Sequence, residues 1–305
     1  MKKTFLGLDF ELKRKSTSHG VSMADIKTIN DDQVANIRTL SSSEIQARLA
    51  DVLVDGLDTA GQINQAERIL RKYGIVVIPD YIDPVSLDKF RSSLTSVYKE
   101  YLELLKNSVY EDSQLLVQRG AAKVSGYRKL ATYSKPVMQV RGGQDDGMID
   151  FFNVDHLLSE SAQLLRAGFE KDGLKRILSS GNSNLTAENL NCYINESISQ
   201  TRGFHADSYG TQLKGFIYLT DVRDLDDGPY TYVRSSHKDS AYRRANKSIS
   251  ESLPKGTEAP LVNFPDVIPV VAPKGSLVIS DQSGFHRGFP QGVDRTRMIA
   301  VMNYR

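Results

Sequence analysis

Two residues of types that bind metal ions stand close together in the second half of the chain. His205 and Asp207 are separated by one residue, and on a β-strand residues i and i+2 point to the same face. An imidazole and a carboxylate at this spacing can therefore reach one metal ion. A second histidine, His286, is the best candidate to complete the set. Two neutral imidazoles and one carboxylate form the facial triad of non-haem Fe(II) oxygenases, which leaves coordination positions open for substrate and O2.

Length and charge place the chain among ordinary globular proteins. Its 305 residues are enough for one large domain with a substantial core. The 39 basic and 37 acidic residues nearly cancel to a net charge of +2, which does not predict a nucleic-acid partner. The single cysteine, Cys192, cannot form an internal disulfide and is expected to be a buried free thiol in a reducing compartment.

The first residues are not expected to form a signal peptide, because Asp9 and Glu11 interrupt the short apolar run that follows Lys2 and Lys3. No later window is long and apolar enough to span a bilayer. We therefore expect a cytoplasmic protein without a membrane span. No pattern in the sequence indicates its oligomeric state.

The first half of the chain is predicted to be rich in helices and loops. Residues 1–40 are predicted to form a polar arm, and residues 41–305 a single domain. Ser41 and Glu44 have the spacing of a capping box, which predicts the start of a helix. Further patterns predict a helix over 60–72, a strand over 74–80 and a long helix after Pro84.

Residues 108–140 are predicted to be irregular, and residues 150–167 to be helical. Between them, residues 141–150 contain two adjacent glycines and two adjacent aspartates. Functional loops are often polar and hinged on glycine, so this loop is interpreted either as a polar wall over an active site or as a solvent loop. Three further side chains are candidates for ligand contacts: Tyr127, Arg128 and Lys135.

From about residue 190 the chain consists of short apolar segments separated by turns. Many short strands at such spacing predict a sandwich or jelly roll. The predicted fold class is therefore mainly β with α, with a jelly-roll core over about 190–305 and flanking helices. A basic stretch over 237–247 is predicted to form a surface helix. The predicted strands are 192–194, 213–219, 231–233, 267–271, 276–279 and 298–302.

An H-x-D pair alone arises often by chance, but three further features follow it in order: a turn over 227–237, the segment 275–286 and an arginine-containing segment over 295–301. This order resembles the phytanoyl-CoA dioxygenase family of Fe(II)- and 2-oxoglutarate-dependent oxygenases. In that family an H-x-D pair, a G-x-L-x-x-x-P-G-S-H-like turn, a distal histidine and an arginine about eleven residues later follow one another. Residues 74–98 also resemble the opening strand and helix of the family, so the likeness runs from residue 74 to the C terminus.

The resemblance implies a catalytic domain with a cupin-like double-stranded β-helix core and helices packed outside it. It matches His205, Asp207 and His286 to the iron ligands. It matches Arg297 to the arginine that binds the distal carboxylate of 2-oxoglutarate, and a guanidinium fork suits a carboxylate better than lysine does. Arg295 is expected to point the same way by strand alternation and is the second candidate, behind Arg297 on spacing.

Three details of the motifs bear on the reaction. The family often has glycine and serine after the distal histidine, whereas Arg287 and Gly288 follow His286 here, which removes a hydroxyl from the neighbourhood of the cosubstrate. Asp207 favours hydroxylation, because related halogenases carry glycine or alanine at that position. The remaining histidines are not predicted ligands: His19 is expected to be solvated, His237 to be structural as in the family, and His156 to be structural or to contact substrate.

The resemblance implies an Fe(II)/2-oxoglutarate-dependent hydroxylase that acts with O2 on a small-molecule substrate. The alternatives are a cupin-like metalloprotein with non-oxidative chemistry and a catalytically silent protein that binds a metal or ligand. An acyl-CoA substrate would suit the basic residues over 234–247. A polar molecule such as a sugar or amino-acid derivative suits the tyrosines and the loop over 141–150, and it is the preferred prediction.

Overall fold

The computed structural model describes residues 21–179 and 186–304, and its main feature is a large β-sheet packed against a small one. The helices are α1 (Met23–Arg38), α2 (Ser42–Ala50), α3 (Ala60–Tyr73), α4 (Asp88–Leu104), α5 (Tyr127–Ala131), α6 (Val154–Leu157), α7 (Ser159–Phe169), α8 (Asp172–Ser179) and α9 (Ala241–Ser250). The strands are β1 (Ile75–Ile78), β2 (Val109–Glu111), β3 (Leu116–Arg119), β4 (Val137–Val140), β5 (Ile149–Phe152), β6 (Ala187–Glu196), β7 (Leu213–Tyr218), β8 (Tyr230–Val233), β9 (Val267–Val270), β10 (Leu277–Asp281), β11 (His286–Gly288) and β12 (Thr296–Tyr304).

Within the described residues, the large sheet has the order β1-β10-β7-β12-β6-β5-β4-β3-β2, and the small sheet the order β11-β8-β9. Neighbouring strands of the large sheet run antiparallel except for β3 and β4, which are parallel. The small sheet is extended by isolated backbone bridges, because His205 pairs with His286 on one side and with Glu258 on the other. A mixed sheet with flanking helices is thus confirmed, and the double-stranded β-helix stays a prediction.

Side chains of the large sheet alternate between two hydrophobic cores, as the pleat of a strand requires. On β1, Val76 packs in the core that contains Phe90 of α4 and Leu165 of α7, whereas Val77 packs in the core that contains Tyr232 of β8. Helices therefore cover one face of the large sheet, and the small sheet covers the other. Polar side chains on that second face point into the space between the two sheets.

Most of the predicted elements are confirmed. The Ser41 hydroxyl accepts from the backbone N–H of Glu44, and the Glu44 carboxylate accepts from the backbone N–H of Ser41. Helix α2 begins at Ser42, directly after this cap. The predicted helices over 60–72 and after Pro84 correspond to α3 and α4, and α9 begins within the basic stretch and ends three residues beyond it. The strands predicted after residue 190 are all found, with ends shifted by a few residues.

Two stretches differ from the prediction. Residues 108–140, predicted to be irregular, contain β2, β3 and β4, and residues 149–152, at the start of a predicted helix, form β5. Within the helix predicted over 150–167, the chain is helical only from the start of α6 at Val154. These four strands are three or four residues long and are stabilised by pairing with one another and with β6, so local periodicity does not reveal them.

Part of the predicted polar arm is a packed helix. α1 buries Ile26 and Ile37, and the side-chain amide of Gln33 donates to the carbonyl of Pro260 at 2.9 Å. The helix therefore joins the N-terminal region to the segment that follows α9. Residues 1–20, and with them His19, lie outside the described residues.

Cys192 is a buried free thiol on β6, as predicted. Burial raises the pKa of this thiol, so it stays protonated at neutral pH. None of the helices in the described part of the chain combines the length and apolarity that a membrane crossing requires.

The turn before β10 requires a glycine. Gly275 has a φ of +92°, and a Cβ atom there would lie 2.2 Å from the carbonyl oxygen of Ile82. Gly275→Ala is therefore expected to lower the free energy of unfolding by more than about 2 kcal/mol, measured by urea denaturation. Gly61→Ala is the control, because an added Cβ in the first turn of α3 has its nearest neighbour at 3.9 Å. A Gly275→Ala protein as stable as wild type would contradict this prediction.

Candidate metal centre

Two histidines that are distant in sequence are held opposite each other by the backbone. The N–H of His205 donates to the carbonyl of His286 at 3.0 Å, and the N–H of His286 donates to the carbonyl of His205 at 2.9 Å. In such an antiparallel pair both side chains leave the same face, and the two ring centroids are 4.6 Å apart. The structure therefore brings together the two imidazoles selected from the sequence.

Asp207 is positioned differently from the prediction, because residues 205–207 are not a strand and only His205 among them forms an isolated backbone bridge. The backbone N–H of Asp207 donates to the carbonyl of Gln282 at 2.9 Å. Its Oδ1 then lies 3.8 Å from Nε2 of His205 and 3.6 Å from Nε2 of His286. The three possible ligand atoms lie within 4.8 Å of one another, which is close enough to hold one metal ion.

Hydrogen bonds determine which nitrogen of each imidazole is free. Nδ1 of His205 lies 2.8 Å from the carbonyl oxygen of Gly203, and Nδ1 of His286 lies 3.0 Å from that of Gly284. A carbonyl oxygen only accepts, so in the neutral ring each Nδ1 carries the proton and each Nε2 keeps its lone pair. Three lone-pair donors therefore converge with no proton between them. This donor set and its hydrogen-bonded imidazoles fit a bound Fe(II) ion.

Lys214 contacts the other carboxylate oxygen of Asp207. Its Nζ lies 2.5 Å from Oδ2, and its side chain is 9% exposed. Lys214 is on β7 and faces inward, on the same side of the strand as Phe216. The ring centroid of Tyr127 lies 5.8 Å from Nζ. Asp207 thus presents Oδ2 to an ammonium and Oδ1 to the two imidazoles.

Burial and neighbouring charges set the ionisation of these groups. Burial lowers the pKa of His205 well below its usual range, and the charges of His286 and Arg202 act in the same direction. Burial alone would raise the pKa of Asp207, but the Lys214 ammonium holds it well below its usual range. Burial also opposes the charge on Lys214, and Asp207 nevertheless raises the pKa of that amine. At neutral pH the site therefore contains a neutral His205, an ionised Asp207 and a protonated Lys214.

Arg297 lies on β12 and is buried against the same cavity. Its Nη1 donates to the carbonyl of Gly228, and its Nε is buried without a hydrogen-bond partner among the described residues. Asn195, its partner on β6, is 2% exposed, and its Oδ1 is likewise buried and unpaired within the described ranges. Unpaired buried polar atoms are costly, so this pair marks the inner end of the cavity as a place for a polar ligand group.

Arg295 does not point the same way as Arg297, contrary to the prediction. Strand β12 begins at Thr296, so strand alternation does not extend to residue 295. The Nη1 atom of Arg295 lies 3.3 Å from Oδ1 of Asp227, and its Nη2 lies 3.9 Å from Oδ2 of Asp224. Arg295 lines a separate pocket of ≈ 340 Å³, whereas Arg297 lines the cavity that contains the candidate ligands.

The cavity that contains the three candidate ligands has a volume of ≈ 780 Å³. One wall is the inner face of the large sheet, where Tyr193, Asp150 and Gln139 occupy one row across β6, β5 and β4. Arg141 binds both carboxylate oxygens of Asp150, at 2.7 and 3.0 Å. Several residues of the loop over 141–150 line the cavity, which supports its interpretation as a polar wall.

Two polar residues of the cavity, Lys214 and Asn195, were not predicted from the sequence. Each is a polar residue inside a buried strand, and this is the signal that could have identified them, because such residues are rarely buried without a partner. Tyr127, a candidate from the sequence, does line the cavity. Arg128 and Lys135 are not among the residues that line it.

The other histidines in the described ranges lie outside the cluster of three ligand atoms. Nε2 of His237 lies 3.3 Å from the carbonyl oxygen of Arg71, which agrees with its predicted structural role. His156 is exposed on α6.

No protein-family model matches the chain, and no curated protein matches its sequence. Similar solved structures include the epimerase SnoN in complex with Fe3+, alpha ketoglutarate and nogalamycin RO, with 15% identity, coverage of 81% of this chain and 84% of that chain, and a TM-score of 0.49. The non-heme alpha ketoglutarate dependent carbocyclase SnoK from nogalamycin biosynthesis has 17% identity, coverage of 79% and 82%, and a TM-score of 0.47. HygX from Streptomyces hygroscopicus, with nickel and 2-oxoglutarate bound, has 15% identity, coverage of 81% and 86%, and a TM-score of 0.43. At this level of similarity, these structures do not assign the chain to a family.

The neutral state of His205 makes the stability of the metal-free protein depend on pH. The folded-state pKa lies below the ordinary value of 6.5, so below that pH the unfolded state binds more protons and stability falls. One such group contributes at most about 1.4 kcal/mol per pH unit. His205→Asn is expected to flatten the plot of unfolding free energy against pH between about 6.5 and about 5, measured by denaturant titration. The exposed His156→Asn is the control, and an unchanged slope in His205→Asn would count against the prediction.

Proposed function

We propose that the chain is an Fe(II)- and 2-oxoglutarate-dependent dioxygenase that hydroxylates a small-molecule substrate within a jelly-roll core. The observation that carries the proposal is the convergence of His205, Asp207 and His286 in a cavity that also contains the unpaired Nε of Arg297. Two imidazoles and a carboxylate can hold Fe(II), and a buried guanidinium can bind a carboxylate of a dicarboxylate cosubstrate. The resemblance of the ordered motifs to phytanoyl-CoA dioxygenases supports the same function.

In this proposal His205, Asp207 and His286 hold the iron, and Arg297 binds the distal carboxylate of 2-oxoglutarate. The bound metal and cosubstrate would supply activation of O2, coupled to conversion of 2-oxoglutarate to succinate and CO2. The chain contributes position and shielding. The backbone pair of the two histidines fixes the imidazoles, and the inner face of the large sheet separates the cavity from solvent on one side.

A polar small molecule suits this cavity better than an acyl-CoA does. Its walls offer amide, phenol, carboxylate and basic groups. Among the basic groups, Arg141 is paired with Asp150 and Arg202 with Glu258.

None of the basic residues over 234–247, which would suit an acyl-CoA, lines the cavity. Arg243 is buried and donates to the carbonyls of Ser236 and Ser283, and Arg234 forms an ion pair with Asp51. We therefore propose a polar, uncharged or weakly charged substrate such as a sugar or amino-acid derivative.

The proposed iron site predicts the effect of removing its anionic ligand. Asp207→Ala would leave two neutral imidazoles, and its affinity for Fe(II) is expected to fall by at least roughly tenfold, with loss of succinate formation. Anaerobic titration with Fe(II), followed by a succinate assay with 2-oxoglutarate and O2, measures both effects. Asp146→Ala, an exposed carboxylate in the loop over 141–150, is the matched control. Unchanged iron affinity in Asp207→Ala, or a wild-type protein that binds metal without forming succinate, would refute the proposed activity.

The proposed cosubstrate site predicts different effects for two neighbouring arginines. Arg297→Lys keeps the cation but loses the planar fork, so its Kd for 2-oxoglutarate is expected to rise roughly ten- to hundredfold while iron affinity is retained. Arg295→Lys is the matched control, because Arg295 pairs with Asp227 outside the cavity. Titration with 2-oxoglutarate after loading with Fe(II), followed by the metal-to-keto-acid absorbance, gives both constants. A defect in Arg295→Lys alone would move the cosubstrate site to residue 295.

A further inference from the structure

Lys214 is a lone charged residue on an otherwise apolar strand. Strand β7 has the sequence Leu-Lys-Gly-Phe-Ile-Tyr, and all six residues are buried. A lysine loses both hydration and side-chain freedom in such a place, so it is retained only where a partner compensates for its charge. The partner here is Asp207, at 2.5 Å.

The two carboxylate oxygens of Asp207 have different neighbours. Oδ2 accepts from Lys214, whereas Oδ1 is the oxygen near Nε2 of His205 and Nε2 of His286. The backbone around Asp207 is not part of a strand, and one N–H···O bond to Gln282 fixes it locally. The hydrogen bond from the Lys214 ammonium to Oδ2 therefore limits rotation about the side-chain bonds of Asp207.

We infer that Lys214 is a positioning residue of the proposed metal centre, which holds Asp207 so that Oδ1 alone faces the two imidazoles. The inference rests on the proposed function, because it concerns the same ligand set. In metal sites, hydrogen-bond partners of a ligating carboxylate orient that carboxylate and raise the affinity for the metal. Lys214 would have this role for Asp207. The carboxylate would then bind through a single oxygen, which leaves space at the metal for other ligands.

If Lys214 did not position Asp207, its removal would change the metal affinity in the opposite direction. An ammonium that acted only as a like charge beside a metal cation would weaken metal binding, and its removal would increase affinity. A positioning residue stabilises the ligand geometry, and its removal lowers affinity. The sign of the change therefore distinguishes the two roles.

The test is a titration of the purified full chain and its variants with Co(II) at fixed pH, followed by calorimetry and by the visible absorbance of the bound metal. Lys214→Met removes the donor and keeps an unbranched side chain that is one atom shorter. We expect its affinity for Co(II) to fall roughly ten- to hundredfold, as for other outer partners of metal ligands. Lys214→Gln keeps one N–H donor without the charge and is expected to lie between Lys214→Met and wild type. An absorbance spectrum unchanged in both variants would show that the coordination geometry does not depend on Lys214 and would overturn the positioning role.

The control is Lys274→Met, because Lys274 also forms a partly buried ion pair, with Asp88 at 2.8 Å, but does not line the cavity. Its affinity for Co(II) is expected to equal that of wild type. Thermal unfolding shows whether Lys214→Met folds. If it does not fold, the Co(II) affinity of Lys214→Gln is compared with that of wild type instead. Equal or tighter binding in the Lys214 variants overturns the positioning role and leaves the metal centre intact. A wild-type chain that binds no metal overturns the proposed function and this inference with it.

Discussion

The reciprocal pair of backbone hydrogen bonds between His205 and His286 is the contact on which the site depends. It joins a segment without regular structure to the first residue of β11, and it fixes two imidazoles on one face at 4.6 Å. Glu258 continues the bridge on the other side of His205. Helix α1 contributes less directly, because the side chain of Asn30 in its middle lies against Gly203, whose carbonyl oxygen is 2.8 Å from Nδ1 of His205. Backbone geometry, and not side-chain packing alone, therefore sets the distance between the candidate ligands.

The large sheet supplies the groups that face this histidine pair. Arg297 and Asn303 point inward from the two ends of β12, which places them roughly 20 Å apart at the rise of a strand. Lys214 is the ladder partner of Asn303, and Asn195 is the partner of Arg297. The cavity thus has a cationic group towards each end of the same sheet, with Asp207 in contact with one of them.

The extension of the sheet by β5, β4 and β3 makes the cavity deep. Without it, the wall beyond β6 would be absent, and Asp150 and Gln139 would not lie beside Tyr193. Arg141 forms an ion pair with the carboxylate of Asp150 within this wall. Burial opposes the charge on the Arg141 guanidinium, but Asp150 and Asp145 raise its pKa above the ordinary value. Fixed, paired charges of this kind shape a polar surface without adding net charge to it. This is the physical basis for preferring a polar substrate.

The sequence by itself determined the residue types, their order and most of the regular elements. Capping at Ser41, the apolar alternation of the later strands and the spacing of His205 and Asp207 are properties of residues close together in the chain, and local propensity and spacing report them. His286 is distant from that pair in sequence and was selected by its place in the order of motifs. Only the tertiary structure decided which arginine faces the cavity, that β2 to β5 extend the sheet, and that Lys214 contacts Asp207. Each of these depends on which strands pair and where a strand begins. Pairing is a property of contacts between distant segments, and a short local pattern does not contain it.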